Sequence, residues 1–201
     1  MSSGLLYIII IFSVIILMIL IIGLPILLGY TKGESPEKKA GRMGERFATS
    51  VISEILDKDD ILLTNVRVSS GGNNTELDNV IINKNGVFII EVKNYSGDIA
   101  GAEEDDEWIK IEAIPSGGIY QKTVKNPLKQ VKRQVDIVTG YLGDRGISVR
   151  VKGFVFFVNR NSPIGSSYVL VTQKDVNDVI HEACNSILTA EIQESINRAL
   201  E

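Results

Sequence analysis

Residues 5–28 form an almost unbroken apolar run without a single charged side chain. An α-helix rises ~1.5 Å per residue, so about 24 residues reach roughly 36 Å, enough to cross a hydrocarbon core of ~30 Å with some tilt. A cleaved signal peptide would need basic residues ahead of a shorter run and small residues at the cut site. No Lys or Arg precedes this run, and Gly29-Tyr30-Thr31 is a poor cleavage site. The expectation is an uncleaved single-pass membrane anchor over residues 1–31. Lys32, Lys38, Lys39 and Arg42 all follow the span, so the positive-inside rule turns the rest of the chain towards the cytoplasm.

The remaining stretch of about 170 residues suits one domain and is long enough to bury a real core. A short linker over residues 32–36, containing Gly33 and Pro36, stops the membrane helix from continuing. The domain is then 37–201, with its motif-bearing core in 37–158 and a C-terminal strand and helices in 159–201. The net charge of −4 lies entirely in this part. That excludes a protein that coats nucleic acid by bulk electrostatics, and leaves a local basic patch open. A single cysteine, Cys184, excludes an internal disulfide framework and fits a reducing compartment.

Apolar spacing predicts a helix over residues 36–56, where Met43, Phe47, Val51 and Ile55 recur at i+4 and Ala48 and Ile52 widen the stripe. A strand over 61–68 and an exposed loop over 69–75 follow. Two β-rich runs, 77–83 and 87–93, flank Asn85-Gly86 and predict a hairpin. A second hairpin is expected from 97–102 and 108–112 around an acidic turn, then a loop over 114–125. Asn126-Pro127 opens a helix to about residue 142, with Asn as cap and Pro in the first turn. Strands are expected at 149–158 and 168–171, and closing helices at 174–186 and 190–200. Helices flanking a central run of strands indicate an α/β or α+β sandwich.

With Asn85-Gly86 as a two-residue turn, Ile82 pairs with Ile89, Val80 with Glu91 and Asp78 with Lys93. Side chains alternate with period two, so Asp78, Glu91 and Lys93 share one face, and Asp78 lies diagonal to Glu91. Two carboxylates converging on a point repel, which a hard divalent ion relieves. A neighbouring ammonium can then orient or deprotonate an attacking water, or neutralise charge on a phosphate oxygen. A cross-strand ion-pair ladder on a solvated face would use the same three residues, and on these residues alone both readings stand.

The sequence resembles the nuclease-related domain (NERD) proteins of the PD-(D/E)xK nuclease-like superfamily. The resemblance runs from Gly41-Arg-Met-Gly-Glu45 through Leu77-Asp78-Asn79-Val80-Ile81-Ile82 and Gly86-Val-Phe-Ile-Ile-Glu91-Val-Lys93-Asn-Tyr95-Ser-Gly97-Asp-Ile99. It continues at Trp108 and Asn126-Pro127-Leu128-Lys-Gln130. It implies an α/β fold, a restriction-endonuclease-like mixed β-sheet flanked by helices, here preceded by one transmembrane helix. It also implies Mg²⁺- (or Mn²⁺-) dependent hydrolysis of nucleic-acid phosphodiester bonds, with DNA favoured over RNA. Asp78, Glu91 and Lys93 take the catalytic Asp, Glu and Lys positions, with Glu45 and Gln130 as the accompanying helix residues. Asp78, Glu91 and Glu45 would hold the metal. The superfamily's proline before the aspartate is replaced by Leu77. The alternative function is a non-catalytic, membrane-tethered nucleic-acid-binding or protein-interaction module on the same fold.

Helical geometry adds to this independently. Glu45 lies at the margin of its helix's apolar stripe, where a carboxylate is costly unless paired or metal-bound. Gly41 and Gly44 suit a close approach of backbone or ligand, and Gly41 suits plain packing equally. Gln130 and Gln134 border the core side of the 126–142 helix with Ile137 and Tyr141. Lys122, Lys125, Lys129, Lys132 and Arg133 are dense for an acidic protein; they are either a phosphate tract or a solvated helix face. His181 reads as a surface residue, Cys184 as core at i+4 from Ile180, and Trp108 as packing for the second hairpin.

Overall fold

In the computed structural model, which describes residues 3–23, 34–114, 117–159, 161, 164–184 and 187–201, strand β3 (Gly86–Lys93) is buried along all but its last residue. An almost continuous apolar run is what a strand covered on both faces requires. It sits at the centre of a five-stranded sheet with β1 (Ile61–Ser70), β2 (Asn73–Asn83), β7 (Val151–Phe157) and β8 (Val169–Leu170), in the order β1-β2-β3-β7-β8. The first three strands are antiparallel, and β7 and β8 run parallel to β3. A separate three-stranded antiparallel sheet comprises β4 (Asp98–Ala100), β5 (Glu107–Ala113) and β6 (Ile119–Lys125). The helices after the N-terminal segment are α2 (Pro36–Ser53), α3 (Pro127–Gly143), α4 (Gln173–His181) and α5 (Ala190–Leu200). The fold is therefore a mixed α/β sheet flanked by helices.

The chain divides into two compact units, residues 1–39 and 40–201. In the first, helix α1 (Ser3–Met18) passes into a π-helical turn, Ile19–Gly23. Gly4–Ile22 is long and apolar enough to cross a membrane. The end of the predicted apolar run and the start of the predicted linker, residues 24–33, lie outside the described residues.

In the second unit, period-two alternation along β2 and β3 feeds two cores. Val80, Ile82, Val87 and Ile89 pack with Leu128, Val131, Val138 and Leu142 of α3 and with Ile196 and Leu200 of α5. Ile81, Phe88, Ile90 and Val92 pack with Ala48 and Ile52 of α2 and with Val176 and Ile180 of α4. Gly153 lets α3 approach β7, since a Cβ there would lie 2.6 Å from Val135 Cγ2 and 2.8 Å from Val131 Cγ2. Trp108 is fully buried, stacks on Phe157 and donates its indole N–H to the Ala102 carbonyl at 2.7 Å. Asn126 caps α3 by accepting from Leu128 N, and its amide donates to the Glu103 and Asp105 carbonyls, tying the acidic turn to the helix start.

Several sequence expectations shift. The β2–β3 hairpin closes at Asn83↔Gly86, so Ile82 faces Val87 and Val80 faces Ile89, two residues from the predicted register. Lys84 and Asn85 keep negative φ while Gly86 takes +139°, so the turn is not an Asn-Gly type I′ turn. Its geometry is set from afar, because the amides of Asn83 and Asn85 both donate to the Ile180 carbonyl at 3.0 and 3.1 Å. That same carbonyl, taken by the two asparagines, marks where α4 stops. The helix ends at His181, and Cys184 is half-buried beyond it; residues 185–186 of the predicted helix lie outside the described residues. Residues 119–125, predicted as loop, form β6 along the whole of β5. Its side chains are mostly exposed, so no buried alternation marked it.

The two helix glycines separate cleanly. A Cβ on Gly44 would lie 2.4 Å from Asn94 Cβ, whereas one on Gly41 meets nothing within 4 Å. Gly44→Ala should therefore lower the melting temperature by several degrees through overpacking of about 1–3 kcal/mol. Gly41→Ala should raise it by about 2–4 °C from helix propensity. Thermal unfolding followed by circular dichroism checks both; a stabilised Gly44→Ala would contradict the packing described.

Candidate active site

The observed register carries the hairpin ladder to Asn79↔Ile90. One step further, Asp78 falls directly opposite Glu91 rather than diagonal to it. A slip of two residues leaves every side chain on its predicted face; a slip of one would have reversed them. Glu91 and Lys93 thus project to the α3 side of the sheet, where the same face is apolar further along the strand.

Glu91 is 3% exposed, and side chains from two elements bond to both of its oxygens. Its Oε1 accepts from Lys93 Nζ at 2.5 Å and from Gln130 Nε2 at 2.6 Å. Its Oε2 accepts from Gln134 Nε2 at 2.7 Å. Lys93 Nζ also donates to Gln130 Oε1 at 3.1 Å, closing a triangle of lysine, carboxylate and amide. Gln130 and Gln134 reach the same carboxylate because i and i+4 share one side of a helix. Gln134 Nε2 also lies 3.2 Å from the Glu76 carbonyl, linking α3 to β2. Across the ladder, Asp78 Oδ2 accepts the Val92 N–H at 2.8 Å. Just beyond Lys93, Asn94 donates to the Ala40 carbonyl at 2.7 Å and accepts from Asn159 at 2.7 Å, fixing where β3 leaves the sheet.

Burial, and then the facing Glu91 charge, push the Asp78 carboxyl up to about 7; Glu45 adds a smaller repulsion. Burial alone would lower the Lys93 pKa, but the charge and hydrogen bond of Glu91 outweigh it and hold the ammonium above its ordinary value. Lys93 is therefore cationic at neutral pH.

The donor set suits a hard divalent cation. A carboxylate offers about four acceptor positions, and three of those on Glu91 are occupied, leaving one on Oε2. Asp78 has its further oxygen, and Gln134 Oε1 is buried without a hydrogen-bond partner. Two repelling carboxylates and an orphaned acceptor are the kinds of oxygen donor that a hard divalent ion takes.

The other predicted residues lie further out. Glu45 is half-buried on α2 and touches the site through its charge on Asp78. Lys129 pairs with Asp106, Arg133 donates to the Asn74 carbonyl at 3.3 Å, and Lys125 stands across from Glu107 in the β5–β6 ladder. Lys122 and Lys132 are exposed on β6 and α3. Gln134 is the one member of the site that had no expected role. Its signal was there, since it shares the inner border of α3 with Gln130, but only the fold shows a buried carboxylate beside it.

Residues 40–158, more than half of the chain, match the family profile described as nuclease-related domain. The chain is also similar to an uncharacterised protein of Bacillus anthracis, at 31% identity over 104 residues, 50% of this chain and 46% of that protein. The chain thus spans about half the length of the curated relative it matches. No solved structure matches at a significant level.

The raised Asp78 pKa has a signed consequence. Between the unfolded value near 3.8 and the folded value of about 7, the native state holds a proton that the unfolded chain has released. Stability must therefore fall as pH rises through that window, by on the order of 4 kcal/mol from this group in the absence of divalent ions. Asp78→Asn should flatten the slope. Melting temperatures at pH 5 and pH 7.5 in chelator, wild type against variant, measure it; an equal slope in both would remove Asp78 as the source.

Proposed function

We propose, on the premise that this chain belongs to the nuclease-related domain family, that it is a membrane-anchored, metal-dependent nuclease hydrolysing nucleic-acid phosphodiester bonds, DNA in preference to RNA. The observation that carries this reading is the Lys93–Glu91–Gln130 triangle set opposite Asp78. A Mg²⁺ or Mn²⁺ ion held by Asp78 and Glu91, with Glu45 nearby, would supply Lewis-acid polarisation of the phosphate and a more acidic water.

The chain's own residues do the rest. Lys93, held cationic by Glu91, steadies negative charge gathering on the phosphoryl oxygens, a role for a fixed ammonium rather than a proton acceptor. Gln130 bonds both Glu91 and Lys93, so it sets the distance between carboxylate and ammonium. Gln134 positions the second Glu91 oxygen from behind. Exposed Lys122, Lys125, Lys132 and Arg133 offer charge to the nucleic-acid backbone. The basic residues that follow the apolar segment favour a cytoplasmic domain on a single-pass anchor.

One observation favours a second reading, a binding module without turnover on the same fold: protein donors already fill three of the four Glu91 acceptor positions. Activity separates the two. The 201-residue chain in detergent with Mg²⁺ or Mn²⁺ should cleave DNA, and Glu91→Gln or Lys93→Met should each lower the rate by about 10²–10³-fold. Equal activity in wild type and both variants would reject the nuclease reading, and retention of nucleic acid without cleavage under any divalent ion would select the module.

A further inference from the structure

His181 and two aspartates meet away from the candidate active site. Asp57, Asp60 and His181 each offer a ligand atom, and these atoms all lie within 4.8 Å of one another. The aspartates come from the turn after α2, which closes on itself through Asp60 N–H to the Asp57 carbonyl at 3.0 Å and Asp57 N–H to Asp60 Oδ2 at 3.1 Å. His181 is the last residue of α4, over a hundred residues later. The sequence placed this histidine on the surface without partners, because nothing local joins it to the first turn of the domain.

We infer that these three side chains form a transition-metal site that fastens the turn after α2 to the end of α4. The ring's tautomer comes first. His181 Nδ1 lies 3.1 Å from both the Asn177 carbonyl and Asn177 Oδ1, and oxygens that accept favour the tautomer with the hydrogen on Nδ1. In the neutral ring Nε2 then presents a lone pair, with the other nitrogen fixed by a backbone carbonyl, the usual support for a metal-binding histidine. That Nε2 atom is buried and has no hydrogen-bond partner. It stands 3.4 Å from Asp60 Oδ2 and 3.8 Å from Asp57 Oδ2, within ion-pair range of both should the ring be protonated but without hydrogen-bond geometry to either. Side chains that share an ion aim at a common point between them, not at one another. Two ligands of a tetrahedral ion, each about 2.0–2.1 Å from it, are about 3.3–3.5 Å apart. The His181–Asp60 separation already meets that distance, and Asp57 is a few tenths of an ångström beyond it.

Asp60 adds a second, separate observation. Its side chain is 7% exposed, so a carboxylate is held largely out of water beside the imidazole, an arrangement that a cation relieves. One imidazole with two carboxylates favours Zn²⁺, Mn²⁺ or Fe²⁺ over Mg²⁺, which prefers oxygen ligands alone. The two carboxylates also border a cavity of about 400 Å³ that reaches Lys84 and Glu194, and His181 stands outside its lining. The site is independent of the nuclease reading.

The test uses the full chain in detergent, stripped with chelator and then given Zn²⁺. We expect about one equivalent bound by calorimetry and a melting temperature raised by roughly 5–10 °C at a hundredfold excess over the Kd. Asp57→Asn, at an exposed position, and His181→Gln should each abolish the shift, while Glu91→Gln should keep it. Circular dichroism confirms that each variant is folded, and Asp57→Asn decides the matter should His181→Gln fail to fold. No response to Zn²⁺ in the wild type, or a full response in Asp57→Asn, would overturn the site. A response lost only in Glu91→Gln would assign the ion to the candidate active site and overturn it equally.

Discussion

A carboxylate at the end of a buried strand cannot be left to itself. Glu91 sits where β3 passes from apolar core to site, almost wholly out of water, and an unpaired charge there would cost several kcal/mol. Three donors from two elements answer it: Lys93 two residues along the strand, and Gln130 and Gln134 one helical turn apart on α3. The packing of α3 against the sheet is bound to this demand. Leu128, Val131 and Val138 bury the apolar stripe, and the two glutamines continue it where the strand turns polar.

The remainder of the architecture fixes the angle and depth of that contact. Gly153 lets α3 come close to β7, and Asn126 fastens the helix start to the acidic turn between β4 and β5. On the other side, Gly44 admits Asn94 against α2, so the chain leaves β3 immediately after Lys93 in a held conformation. Strand, helix and exit segment thus constrain one carboxylate from three directions. A site that must hold like charges together needs such rigid walls, because the repulsion felt by Asp78 would otherwise be relaxed by moving apart.

Much of the candidate site was legible because it follows from period two along a strand and 3.6 along a helix. Asp78, Glu91 and Lys93 share a face in any register displaced by an even number, so the two-residue error in the hairpin left them together. Gln130 and Gln134 could be placed on the inner border of α3 by spacing alone. What failed were features decided by distant partners. The turn at residues 84–85 is drawn by the Ile180 carbonyl, and β6 exists because β5 lies beside it.

The sequence by itself determined the apolar segment at the N-terminus, the mixed α/β order and which face of β3 carries charge, since periodicity and capping are local properties. Only the tertiary structure decided that Gln134 completes the Glu91 cage, that Gly44 rather than Gly41 is required by a neighbour, and that His181 faces Asp57 and Asp60. Each of those depends on atoms brought together across many tens of residues, and side-chain spacing along one element carries no record of what another element packs against it.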